Sequence, residues 1–287
     1  MRIVIDKLKL SIKKDDALQR LIDRITEAHN TNDMPFPHSE PIIEYGKTFL
    51  KEKPDAHRSH FKYNYDVYVN FLKIGYFEIT TYGVADRFAY FILYNNVLYN
   101  DSWKLYKQAI AEIGLQISHI SKLDIALDTH INLTERYISI VTDRTNELVA
   151  LGNIVKDEDR SKYVEHQMFI CGGSYDEPLK VKSLYLHTHD KTLSMRVYDK
   201  TQEIEKSGKT YADLPATQKN AKGHFYRCEI SLSAKQINRH EKKNPNLLTD
   251  IENKQVLAIL HRKYMFKLFR YTPHGASKRN KKRLTLL

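Results

Sequence analysis

Short stretches in which apolar and polar residues alternate are the main pattern of this 287-residue chain. Because side chains alternate faces along a strand, these stretches predict strands with one apolar and one polar face. They cover residues 2–12, 61–72, 75–82, 88–98, 122–129, 162–173, 181–189, 193–199 and 225–232. The pair 61–72 and 75–82 predicts a hairpin that turns at Lys73 and Ile74.

Helical spacing separates groups of these strands. Apolar residues three and four positions apart predict helices over 15–28, 103–114, 132–151 and 246–271. Gly114 is a plausible stop for the second helix, and residues 100–102 offer N-cap candidates. Residues 29–60 predict an irregular connection, and 203–223 a loop or short helix. The order of elements predicts an α+β fold: a largely antiparallel central sheet covered by helices on one face, which could contain a duplicated strand–helix unit.

The strand around Tyr198 carries an unusual set of polar side chains. In the sequence LSMRVYDKTQE, Arg196, Tyr198 and Lys200 fall on one face, while Met195 and Val197 fall on the other. Cations within reach of a phenol favour its phenolate form, which is the nucleophilic one. The pattern therefore indicates a candidate nucleophile at Tyr198, although a strand tyrosine is usually a packing residue.

Two other predicted strands carry acids on their polar faces. Asp124 and Asp128 share a face of 122–129, and Glu229 shares a face of 225–232 with Arg227. If these strands neighbour the Tyr198 strand, one sheet face collects a phenol, three carboxylates and several cations. Carboxylate oxygens suit a hard divalent ion such as magnesium or manganese. The alternative is that these residues are only the solvated side of an antiparallel sheet.

Charge changes the picture of what the protein binds. The net charge of +11, from 46 Lys and Arg against 35 Asp and Glu, predicts a polyanionic partner, and we expect nucleic acid rather than a membrane surface. Cations near the end of the last helix are interleaved with aromatic residues, a combination that suits a phosphate backbone with exposed bases. These cations are Arg262, Lys263, Lys267 and Arg270. For the basic residues that follow 277, a solvated tail is an equal alternative.

Cysteine content and hydropathy narrow the class of protein further. The two cysteines, Cys171 and Cys228, exclude a disulfide framework or a cysteine zinc site. The first residues do not show the apolar core of a signal peptide, and no run approaches the length of a membrane span. These patterns predict a cytoplasmic protein.

Three stretches resemble one family of DNA-processing enzymes. SKLDIALDTH is similar to the R-L-D-[LI]-A-x-D strand of the Rep_trans-type replication initiators. LYLHTHDKTLSMRVYDKTQE is similar to their I-Y-x-G-S-x-x-S…R-x-Y-x-K-x-x-E segment, and FYRCEISLS to their closing R-x-E-[LI]-x-[LF] strand. The resemblance covers roughly residues 61–233 in the right order. MobT-like relaxases and filamentous-phage initiators share the pattern.

The resemblance implies an enzyme that nicks one DNA strand at a plasmid or phage origin to start rolling-circle replication. Tyr198 would form a 5′-phosphotyrosine link and free a 3′-hydroxyl primer. The implied divalent metal would be held by Asp124, Asp128 and Glu229, and the implied phosphate contacts are Arg196, Lys200 and Arg227. The implied partners are single-stranded or cruciform origin DNA, a host helicase and a second copy of the chain.

Three segments follow from this interpretation. Residues 1–60 would form an N-terminal strand–helix and connecting segment, 61–240 the nicking domain, and 241–287 a basic helical extension and tail. Two alternatives stay open: a conjugative relaxase with the same chemistry, or a non-catalytic protein that binds an origin.

The sequence departs from the family pattern in the middle strand. His187, Thr188 and His189 stand where the family has Gly-Ser, and Lys122 stands where Arg is usual. On a strand, His187 and His189 would face the same way, and such a pair could bind a divalent metal as in the HUH nucleases. There the middle residue is apolar, whereas Thr188 is polar. A contact with phosphate or a structural role for the pair is the other hypothesis.

Overall fold

The protein was studied as a computed structural model, which describes residues 1–31, 42–53, 63–80, 88–160, 168–170, 181–242, 246–273, 284 and 286. The chain divides into two compact units, one of residues 6–123 and one of residues 1–5 with 124–287. Two strands, β1 (Arg2–Ile12) and β7 (Ile117–Thr129), begin in one unit and end in the other. Helices and antiparallel strands make up both units, so the predicted α+β class is confirmed.

The unit of residues 6–123 is a layer of antiparallel strands with short helical segments between them. Its strands lie in the order β1-β6-β5-β4-β3-β2. Between β1 and β7 the elements are α1 (Asp16–Thr31), β2 (Ile42–Tyr45), β3 (Thr48–Glu52), β4 (Tyr63–Val69), β5 (Leu72–Thr80), β6 (Phe88–Leu93), α2 (Asn95–Leu98), a 3₁₀ turn (Asp101–Leu105) and α3 (Tyr106–Ile113).

The second unit carries the residues singled out above. Its strands lie in the order β10-β11-β12-β13-β7-β1, and a separate three-stranded sheet has the order β14-β8-β9. After β7 the elements are α4 (Leu133–Thr142), β8 (Asn146–Ala150), β9 (Asn153–Val155), β10 (Met168–Ile170), β11 (Val181–His187), β12 (Leu193–Asp199), α5 (Lys200–Ser207), β13 (Tyr226–Ser233), α6 (Ala234–Glu241), α7 (Leu247–Asp250), α8 (Lys254–Leu268) and β14 (Phe269–Pro273). Three 3₁₀ turns cover Asp157–Asp159, Thr210–Ala212 and Ala216–Gln218.

The β4–β5 hairpin turns earlier than predicted. Its turn residues are Asn70 and Phe71, both with positive φ (48° and 64°), rather than the predicted Lys73 and Ile74. A two-residue turn with positive φ at both positions matches the twist of the flanking strands, and asparagine tolerates that conformation. Gly75 then lies inside β5, where a Cβ would stand 2.3 Å from the backbone oxygen of Ile92. The close approach of the neighbouring strand explains the glycine.

Several elements differ from the prediction, and one of them, β8, has a partner far away in the sequence. Residues 29–60 contain the paired strands β2 and β3. The helix predicted over 132–151 ends at Thr142, since residues 146–150 form β8 and pair with β14. The end of the strand predicted over 88–98 is helix α2, and the end of the last predicted helix is strand β14. The turn predicted around Gly172 lies outside the described residues.

Helix α8 is attached to β13 through a buried histidine. The Nε2 of His261 donates a hydrogen bond to the backbone oxygen of Cys228 at 2.9 Å, and the side chain is 1% exposed. Burial lowers the pKa of His261 from its ordinary 6.5 to about 4, because the charged imidazolium would lose its hydration. Burial also raises the pKa of the Cys228 thiol, so this cysteine is unreactive.

We expect His261 to make the fold sensitive to mild acid. Since its folded-state pKa lies below the unfolded value, stability is complete above pH 6.5 and is lost as the pH falls toward 4. Between pH 7 and pH 5 this histidine should lower the free energy of unfolding by about 2 kcal/mol. Urea unfolding of the wild type and of His261→Gln at both pH values measures the difference. The exposed His189, changed to Gln, is the control; an equal pH dependence in all three proteins would refute the assignment.

Candidate active site on the polar face of the sheet

Strand register brings the predicted polar side chains to one face of the sheet. Strands β12, β13 and β7 are neighbours in that order, as the sequence interpretation required. Tyr198 is paired with Arg227, while Arg196 is paired with Glu229 on one side and with Tyr185 on the other. Because directly paired residues of antiparallel strands point the same way, these five side chains share a face.

Tyr198 lies between an acid and two cations. Its hydroxyl donates to the Glu229 Oε2 at 3.4 Å, and the Cζ of Arg196 lies 4.6 Å from the centre of its ring. The Nζ of Lys200 is 5.7 Å from the same ring centre. A carboxylate beside a phenol can accept its proton, and a guanidinium nearby can stabilise the negative charge that results. The phenol itself is 7% exposed, whereas Arg196 is exposed.

Lys200 differs from its predicted surroundings. The alternating pattern placed Lys200 on the same strand face as Tyr198, but Lys200 is the first residue of helix α5. Its side chain is 4% exposed and forms an ion pair with Glu203. The preceding residue, Asp199, caps the helix by accepting from the Gln202 backbone N–H at 3.2 Å. Lys200 is therefore buried near the Tyr198 ring and does not face solvent.

A buried ion cluster occupies the inner end of the polar face. Arg227 Nε and Nη2 donate to the two oxygens of Asp128 at 2.7 and 2.9 Å, and both side chains are 0% exposed. Arg2 Nε and Nη2 also donate to Asp128 Oδ2, at 2.9 and 2.7 Å. The predicted contact between Arg227 and DNA is wrong in this structure, because its guanidinium is enclosed and bound to Asp128.

The predicted metal ligands do not fit a divalent ion as the side chains stand. Asp124 is 5% exposed on the buried part of β7, and both oxygens of Asp128 already accept from guanidinium groups. In the part of the chain that the structure describes, no three His, Cys, Asp or Glu side chains are grouped so that they could hold a metal. A cation next to Asp128 would also meet two arginines, which opposes binding.

The two histidines do not share a strand. β11 ends at His187, and His189 lies in the turn that leads to β12. The turn is closed by Asp190, whose Oδ1 accepts from the hydroxyls of Thr188 and Thr192, both at 2.8 Å. These hydrogen bonds, with Thr192 contributing most, lower the pKa of the Asp190 carboxyl. The geometry on which the paired metal-binding hypothesis depended is therefore not present at these two residues.

Tyr185 is the second phenol on this face. It is 37% exposed, lies opposite Arg196 in the register, and its ring centre is 5.4 Å from that of His187. The sequence signal for this position was that Tyr185 lies two residues before His187 on a predicted strand, so the two side chains were expected on the same face. Arg2 was missed, and no local spacing in the sequence connects it with Asp128.

The cations of the C-terminal region are displayed on α8 and β14. Arg262, Lys263 and Lys267 are exposed, and Arg270 lies on β14, where its Nη1 donates to the Phe266 backbone oxygen at 3.2 Å. The Cζ of Arg262 is 5.6 Å from the ring centre of Phe266. The interleaving of cations and aromatic rings is therefore spatial as well as sequential. Contact of these residues with DNA stays a prediction.

No family profile matches the chain, and no curated protein matches it. The solved structure titled "Structure of Rolling Circle Replication Initiator Protein from Geobacillus stearothermophilus" aligns with 100% of this chain and 92% of that chain, at 11% identity and a TM-score of 0.48. Similarity at this level is too low to assign a fold family or a function.

None of the helices in the described residues combines the length and the apolar character that a membrane crossing requires.

We expect Asp128 to be needed for folding before it is needed for any chemistry. Asp128→Ala would remove the carboxylate that faces two guanidinium groups in a closed environment, and should lower the free energy of unfolding by about 3–5 kcal/mol. Asp157→Ala is the matched control, because Asp157 also pairs with an arginine, at 2.7 Å, but is 59% exposed. Asp157→Ala should lower the free energy of unfolding by less than about 1 kcal/mol. Urea unfolding at pH 7 compares them, and equal losses would contradict the structural role.

Proposed function

We propose that this protein is a DNA nicking and rejoining enzyme that starts rolling-circle replication, with Tyr198 as its nucleophile. The observation that carries the proposal is the Tyr198 hydroxyl at 3.4 Å from the Glu229 carboxylate, with the Arg196 guanidinium over the same ring. A nucleophile, a proton acceptor and an anion-stabilising cation are the groups that attack on a phosphodiester requires. The net charge of +11 supports a nucleic acid substrate.

The proposed reaction transfers one ester bond. The Tyr198 oxygen attacks the phosphorus while Glu229 accepts the phenol proton. The bond between phosphorus and the 3′-oxygen breaks, and that oxygen takes a proton from water to become the 3′-hydroxyl, while Glu229 returns the phenol proton to solvent. The product is a 5′-phosphotyrosine ester, and its reversal rejoins the strand. Arg196 stabilises the charge on the non-bridging oxygens as the transition state forms.

Exposure on the polar face indicates how a strand would approach. Tyr198 is 7% exposed, whereas its neighbours Arg196 and Tyr185 are open to solvent. A single strand that lies over Arg196 would bring its phosphate to the outer edge of the Tyr198 ring. Tyr185 could stack on an adjacent base, a contact worth about 1–3 kcal/mol. We expect this strand to enter from the Arg196 side, because Arg196 and Tyr185 are exposed members of this face.

A second candidate function is binding to an origin without cleavage. It is favoured by the 7% exposure of Tyr198 and by an acid set that does not form a metal site in the described residues. A relaxase would use the same Tyr198 chemistry as the first candidate. The cleaving enzyme and the protein that only binds the origin differ in whether a covalent protein–DNA adduct forms.

The test is adduct formation on supercoiled plasmid that carries the DNA flanking the coding gene. We expect the wild type to form a covalent adduct and Tyr198→Phe to form none, because the phenol oxygen is the attacking atom. Glu229→Gln should slow the reaction by about 10²–10⁴-fold, as expected when a proton acceptor is lost. Tyr185→Phe is the matched control, since it keeps the ring on the same face and should still form the adduct.

Parallel reactions with manganese, magnesium or EDTA measure whether a metal is required. Mass spectrometry of the peptide left on the DNA identifies the attached residue. An adduct that persists in Tyr198→Phe would overturn the assignment, and tight binding without an adduct in the wild type would support the second candidate.

A further inference from the structure

A basic cleft lies between helices α6 and α8. It has a volume of about 510 Å³ and is lined by cations from both helices and from the residue that follows α6. These cations are Arg239, Lys242, Lys263 and Lys267. Among the described residues that line it, none is an acid. All of them belong to the unit that contains Tyr198.

The floor of the cleft is a neutral tyrosine. Tyr264 is 1% exposed, and the Nζ atoms of Lys263 and Lys267 lie 5.6 and 5.0 Å from its ring centre. Burial raises the pKa of Tyr264, so the phenol contributes no negative charge to balance these lysines. The two ammonium groups thus lie close to one ring that carries no charge.

His240 lies in the wall of the cleft, next to Lys263. Its Nδ1 lies 3.1 Å from the Nζ of Lys263, a contact in which the ammonium donates. Burial, followed by the charges of Lys263 and Lys267, lowers the pKa of His240, while Asp250 acts in the opposite direction. Burial is therefore the main reason that the imidazole stays neutral, and the nearby ammonium groups add to it. An anion in the cleft would remove the effect of these ammonium groups.

We propose that this cleft binds a phosphate group of the DNA backbone, at a position separate from the polar face that holds Tyr198. Several cations around a neutral aromatic floor match a phosphodiester, which offers anionic oxygens to them. The choice of DNA as ligand rests on the proposed function. The cleft extends the predicted contacts Lys263 and Lys267 to the facing helix and adds Arg239 and Lys242.

Salt-dependent DNA binding tests the cleft. Fluorescence anisotropy with a fluorescein-labelled duplex of arbitrary sequence would be measured from 50 to 300 mM salt. We expect Lys263→Gln and Lys267→Gln each to weaken binding by about tenfold near 0.1 M salt and to reduce the slope of log K against log salt by about 0.9. Lys254→Gln is the matched control: it is an exposed lysine on the same helix, outside the cleft lining.

The outcomes separate this inference from the nicking reaction. If the cleft variants bind like Lys254→Gln while the wild type still forms the covalent adduct, the cleft inference fails and the enzyme assignment stands. If the cleft variants lose affinity but the wild type forms no adduct, the cleft stands and the assignment of Tyr198 fails. Tyr198→Phe should keep the wild-type salt slope, because no cleavage is needed for binding.

A second measurement reports on the cleft directly. The pKa of His240 would be measured by NMR with and without saturating duplex. This pKa depends on the charged groups near the ring, which are Lys263 and Lys267 on α8, Asp250 on α7, and Arg239 and Glu241 on α6. A bound phosphate should move the pKa of His240 upward toward its ordinary value. An unchanged titration in the presence of DNA would overturn the proposal.

Discussion

The arrangement of the polar face depends on one enclosed ion cluster. Asp128 accepts from Arg227 and Arg2, and these three residues connect β7, β13 and β1. Removing charges from water is costly, and only full pairing offsets that cost. A shift of β13 by one residue would turn Arg227 to the opposite face and leave Asp128 facing an apolar side chain. The cluster therefore favours the one register that also places Glu229 beside Tyr198.

The polar face has a gradient of exposure that matters for any chemistry on it. Its inner end, at Asp128 and Arg227, is closed to solvent, while Tyr185 and Arg196 at the outer side are open. Tyr198 lies between these regions. A charge that forms on its oxygen would be poorly hydrated, so fixed groups such as Arg196 act on it more strongly than they would in water. Tyr198 is thus largely protected from water, while its neighbour Arg196 is exposed.

Local patterns predicted much of this structure, and their failures have physical causes. Alternation identified β1, β7, β12 and β13, because a half-buried strand records its two environments in its own sequence. β8 was mistaken for the end of a helix; one of its two partners, β9, is a three-residue strand, and the other, β14, lies more than a hundred residues away. The contact between Arg227 and Asp128 is equally non-local, so a polar residue on the polar face was taken as exposed. Tyr198, Arg196 and Glu229 were brought together as the pattern suggested, whereas the acids did not form a metal site among the described residues.

The unequal exposure of the two phenols has a consequence under oxidative stress. Peroxynitrite and similar reagents reach surface rings first, so nitration should accumulate on Tyr185 long before Tyr198. A nitro group makes a phenol much more acidic, and the resulting anion would stand opposite Arg196. Chemical ageing would then neutralise the approach side of the sheet while leaving the inner tyrosine intact.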